Sequence, residues 1–344
     1  MVMPNADRLP PVFYHPSVLV IVDDCRSYCE SIKFGMPIEQ PIVTFNDPHK
    51  AIAWLRARTV LCQRNEPAIT VHYDDASLSM ERRVVEMDLA WIHRQTGCAD
   101  RFLHPAVVAV DFSMPEMSGL EFCAEIADLS CRRILLTGTA DEGVAVGGFN
   151  NRMIDRYIKK GDPDALDKLA GCVADLQESY FRALSGTVRE ILGQHSFPFL
   201  SEPATMGVLA QLMARYGFVE YCLYPNPGGF LLLTARGEAT LMVIETEAGL
   251  LAHCEAAAMF DAPDCLVHAL QDLRVVPFFW PGNGMYVPAC YDWEPYCLPA
   301  STFTGRDTYY YALFSLPRES LPPQVYDFQR FMIDRDPMHP VGSV

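Results

Sequence analysis

A chain of 344 residues, half of them apolar, is long enough for two domains that each bury a core. Its formal net charge of −16 argues against a general nucleic-acid binder, because phosphate contacts need clustered Lys and Arg. Twelve scattered cysteines without a CxxC pair read as reduced, buried thiols. Residues 1–16 lack a signal-peptide pattern, and no apolar run reaches the ~20 residues of a membrane span, so a soluble cytoplasmic protein is expected.

Ser17 to Val22 is a short β-branched run ending in Asp23 and Asp24, which reads as a buried parallel strand with charge at its carboxyl end. Cys25 to Phe34 has helical spacing, and Gly35 is its stop. Pro41 to Phe45 is a second strand. Asp47-Pro48 then supplies a cap and a first-turn proline for a helix through AIAWLRAR. Val107 to Val110 is a third strand, ending at Asp111, and a helix begins near Gly119. Arg133 to Leu136 ends at Thr137. Ile154 to Ile158 leads into Lys159 and Lys160. Strands alternating with helices predict an α/β fold, a doubly wound parallel sheet with helices on both faces.

Between the second helix and the third strand lies an extra segment, about 60–104. Leu78, Val85, Leu89 and Ile92 give 75–94 a helical pattern, for a helix packed on the domain surface or for a contact surface. Asp162 to Leu192 reads as one long helix with Pro163 in its first turn. Its stripe of Leu169, Val173, Leu176, Tyr180 and Leu184 fits a dimer-forming coil or a connector, although Gly171 and Gly186 weaken a pure coil. The expected organisation is a first domain over 15–163, a linking helix over 164–196 and a second domain over 197–344.

The second domain has no lysine, and seven Arg stand against 16 Asp and Glu. A helix over 206–216, a strand over 220–224 and a turn at 225–229 are predicted. A hairpin of 230–234 with 239–245 follows, then a helix to Met259 capped by Thr246 and a late strand over 309–316. Together they make a small α+β domain. His253 with Cys254, and Gly228-Gly229, read as ordinary core and turn residues.

In a parallel sheet the carboxyl ends of the strands form the ligand crevice. Asp23, Asp24, Asp111, Thr137 and Lys160 all fall at that edge. VLVIVDD at 18–24, VVAVDFSMPEMSG at 107–119, LLTG at 135–138 and YIKK at 157–160 together resemble the receiver domain of two-component response regulators, a flavodoxin-like fold. The resemblance covers 15–163 less the extra segment. It implies that Asp111 accepts a phosphoryl group from the phosphohistidine of a sensor histidine kinase or phosphotransfer protein. It implies that Asp23, Asp24, Asp111 and the carbonyl of Ser113 hold Mg²⁺. Lys160 and Thr137 would contact the phosphoryl oxygens, and Tyr157 would be the aromatic switch. Lys160 is preferred to Lys159 by its spacing from Tyr157. Gly138 stands where Ala or Ser is commoner, and Gly161 where proline is usual.

Length, the extra segment and the non-basic second domain resemble the Lqs-type quorum-sensing response regulators. That implies a homodimer acting through an atypical output domain. The receiver is expected to carry out only its own phosphorylation and dephosphorylation. The output partner is not named by the sequence. Three readings of the output domain stay open: binding of a protein or small ligand, nucleic-acid binding, and catalysis.

Overall fold

The computed structural model describes residues 8–63, 69–73, 83–138, 153–317 and 325–334. The chain divides into two compact units. The first comprises His15–Phe181 with Tyr326–Val344, and the second Met3–Tyr14 with Arg182–Val325. No described helix is long and apolar enough to cross a membrane.

The first unit is built on a five-stranded parallel sheet. Its spatial order is Ile42–Phe45, Val18–Val22, Pro105–Asp111, Arg132–Thr137 and Arg156–Lys159. Every residue of Val18–Val22 and Pro105–Asp111 is buried, as a strand covered on both faces requires. Val20, Leu55, Val108, Phe122 and Leu135 share the core on one face. On the helix Ala165–Leu184, Leu169, Val173, Leu176 and Tyr180 are buried, whereas Leu184 is exposed. That stripe packs within the chain, so it is not a free coil-forming face.

Three boundaries differ from the sequence reading. The long helix is two, Ala165–Leu184 and Gly186–His195, broken at Ser185, whose backbone leaves helical geometry. The Ser185 hydroxyl instead accepts the Val12 N–H at 3.1 Å. The extra segment is helical only from Ala90 to Thr96. Arg83–Met87 is a strand, paired antiparallel with Ile69–Tyr73. Arg83, Val84 and Val85 satisfy a strand as well as a helix, and cross-strand pairing decides the outcome. Leu78 lies outside the described residues. Finally, the ends of the chain change places: Phe13–Tyr14 joins the second unit, and the helix Phe328–Asp334 joins the first.

The second unit is an antiparallel sheet of six strands. Its order is Phe13–Tyr14, Phe218–Pro225, Gly228–Thr234, Ala239–Thr246, Thr308–Leu316 and Ser301–Thr304. The same unit contains the helices Pro203–Tyr216, Glu247–Met259 and Asp264–Gln271. Thr246 caps the second of these by accepting the Gly249 N–H at 3.1 Å. The Pro- and aromatic-rich stretch 277–305 forms three 3₁₀ turns and short strands.

A buried histidine, His15, and a half-buried one, His104, meet edge to face with ring centroids 5.5 Å apart. Burial lowers the His104 pKa from 6.5 to about 4. Burial, followed by the His104 charge, lowers that of His15 well below 6.5. The folded state therefore binds protons less readily than the unfolded one. Stability is complete above pH 6.5 and falls as pH drops towards 4, by about 3 kcal/mol for His104 alone. Denaturant midpoints measured across this window should fall with pH, and His104→Phe should flatten the dependence. An unchanged slope in the variant would remove His104 as the cause.

Candidate functional site

The loops at the carboxyl edge of the parallel sheet bring the predicted residues together. Asp23 follows the first strand and is fully buried, Asp111 ends the third and is buried, and Asp24 is exposed at the rim. One carboxylate oxygen from each lies within 4.8 Å of the others. Lys160 reaches in from the fifth strand, with Nζ 2.7 Å from Asp23 Oδ2 and 2.7 Å from Asp111 Oδ1. Lys159 is instead held in the ladder opposite Thr137. The lysine backbone is fixed too, because the Lys160 N–H donates to the Thr137 carbonyl at 2.8 Å.

The ammonium offsets part of the repulsion among the carboxylates. Burial is the largest influence on Asp23 and raises its pKa, against the lowering effect of Lys160. Burial also acts to lower the Lys160 pKa, but hydrogen bonds and charge from Asp111 and Asp23 outweigh it, and the net shift is upward. Lys160 therefore stays charged. Three converging carboxylates of hard oxygen character suit a divalent cation such as Mg²⁺. Thr137 is fully buried at this edge, and its hydroxyl has no hydrogen-bond partner among the described residues. An orphaned buried hydroxyl is costly unless something else engages it, which fits a ligand oxygen at this edge.

Ser113 lies exposed two residues beyond Asp111. Tyr157 is 42% exposed on the fifth strand, paired with Leu135 and turned to solvent. Gly161 has open space where a Cβ would stand, so its backbone makes no demand for glycine.

Four supporting residues escaped the sequence reading. The Cys25 N–H donates to Asp23 Oδ1 at 2.9 Å, and Asn46 Nδ2 donates to the Asp23 carbonyl at 2.7 Å. The Tyr28 ring lies 4.6 Å from Lys160 Nζ, a cation–π distance. Gly119 passes so close to Asp111 that a Cβ there would come within 2.4 Å of the Asp111 carbonyl oxygen. The Ser118–Glu121 capping box then fixes the helix that begins at Gly119. Only Gly119 stood within a quoted motif. Tyr28 lay within the helix predicted over 25–34.

No family model matches the chain, and no curated protein matches it. Among solved structures, the Legionella pneumophila response regulator LqsR aligns over 95% of this chain and 96% of its own, at 27% identity and a TM-score of 0.76. A response regulator receiver domain protein from Clostridium thermocellum aligns with 47% of this chain and 95% of its own, at 17% identity and a TM-score of 0.32. The receiver domain of an HD domain-containing protein from Pseudomonas fluorescens aligns with 48% of this chain and 90% of its own, at 18% identity and a TM-score of 0.32. The first unit has the receiver fold, and the chain along nearly its whole length resembles a response regulator of the LqsR kind.

Proposed function

We propose that the chain is a phosphoryl-accepting regulator of a two-component phosphorelay. The observation that carries this is Lys160 Nζ bridging Asp23 and Asp111 at 2.7 Å each, with Asp24 beside them. A carboxylate oxygen of Asp111 attacks the phosphorus of a phosphohistidine. The P–N bond breaks, an aspartyl phosphate forms, and the imidazole leaves with the bonding pair. Asp23, Asp24, Asp111 and the Ser113 carbonyl would hold Mg²⁺, which would offset the charge of the phosphoryl oxygens. Lys160 exchanges its contact with Asp111 for one with a phosphoryl oxygen, and the Thr137 hydroxyl donates to another. The donor is a sensor histidine kinase or phosphotransfer protein in the cytoplasm.

The second unit is the output element. Its lack of lysine disfavours DNA or RNA as its target, and no catalytic role is assigned to it. A place in quorum sensing is part of the proposal, on the resemblance to Lqs-type regulators. Incubation with acetyl phosphate and Mg²⁺ should add one phosphoryl group by mass. Chelation by EDTA should prevent it, and Asp24→Ala should slow it strongly. Uptake indifferent to both would overturn the reading.

The proposal includes a homodimer whose affinity changes with phosphorylation, Tyr157 turning inward as Thr137 moves to the phosphoryl group. Light scattering at tens of micromolar should register a rise in mass on adding Mg²⁺ and beryllofluoride. A monomer under both conditions would sink the dimer.

A further inference from the structure

Among the described residues, the chain passes between its two units after Tyr14, after Phe181 and after Val325. The first-unit residues at these passages meet in one aromatic cluster. His15 packs edge-on against Phe181 at 4.6 Å and against Phe102 at 6.2 Å between ring centroids. Phe102 lies 5.1 Å from both Phe328 and Phe331. Phe102 belongs to the extra segment, and Phe328 and Phe331 to the helix that returns at the end of the chain. The backbone joins the same contact: the Tyr326 N–H donates to the Thr96 carbonyl at 3.0 Å. The Arg101 guanidinium donates to the Tyr326 carbonyl at 2.8 Å while standing 4.0 Å from the Phe102 ring centroid.

We propose that the C-terminal helix is a releasable latch and that 96–102 of the extra segment is its seat. The helix Phe328–Asp334 has 7 residues, too few to persist alone in water. It buries Phe328 and Phe331, while Ile333 is 73% exposed. Among the described residues its grip includes two rings three residues apart on one helix face and the two bonds at Tyr326. Such an element folds as it seats and unfolds as it leaves, without disturbing the parallel sheet. Seated, it covers Phe102 within the first unit. The extra segment thereby acquires a role, capture of the chain's own end, that does not depend on phosphorylation.

A fluorescent peptide of residues 325–334 tests this on the full chain. It should bind the variant Phe328→Ala/Phe331→Ala, whose seat is emptied, at least tenfold more tightly than wild type, whose own helix competes. The same peptide with both phenylalanines replaced by alanine should bind neither. Equal binding to variant and wild type, or binding to neither, overturns the latch. So does loss of the variant's cooperative melting, because the helix would then be an indispensable core element.

Discussion

Asp111→Asn should take up no phosphoryl group from acetyl phosphate, whereas the wild-type chain gains one. Three carboxylates converge at the site, so the distinction among them matters. Asp23 is held by the Cys25 N–H at 2.9 Å and by Lys160 at 2.7 Å, and burial favours its neutral form. Asp24 is exposed at the rim. Asp111 stands on the central strand, with Lys160 against one oxygen. Asparagine keeps the shape of the side chain but not the nucleophilic oxygen, so the variant should fold while losing the chemistry. Mass spectrometry of intact protein decides it. A phosphoryl group on the variant would place the acceptor elsewhere.

Phe102→Ala should be among the most destabilising single substitutions in the first unit. The side chain is fully buried, with the rings of His15, Phe328 and Phe331 around it and Arg101 over its face. Truncating a buried phenylalanine removes its transfer free energy and leaves a cavity, at a cost of about 3–5 kcal/mol. Denaturant titration should detect a loss of that size. A loss below about 1 kcal/mol would mean that the neighbouring rings collapse into the gap. Ile333→Ala, at a position 73% exposed, is the control, with an expected change within about 0.5 kcal/mol.

The parallel sheet and its acidic edge were legible because they rest on local pattern. Val18–Val22 and Pro105–Asp111 are continuous apolar runs, and only burial on both faces accounts for that in short strands. Once strands alternate with helices, every residue that ends a strand must share one edge, so Asp23, Asp111, Thr137 and Lys160 were brought together by topology alone. The hairpin of Gly228–Thr234 with Ala239–Thr246 and the Thr246 cap were legible for the same local reason.

What only the tertiary structure decided are features fixed by partners distant in sequence. Phe13–Tyr14 is too short to declare itself a strand and becomes one by pairing with Phe218–Pro225. Arg83–Met87 fits helix or strand until Ile69–Tyr73 supplies its ladder. Ser185 ends a helix whose stripe continues past it, because its hydroxyl is bonded to Val12, 173 positions away. Phe328–Asp334 has too little length to specify a helix by itself and is held by Phe102, far earlier in the chain. Sequence periodicity reports which face of an element is apolar. The choice of the surface that covers it belongs to the assembled fold, where the entropy of closing long loops is offset by contacts that no local window contains.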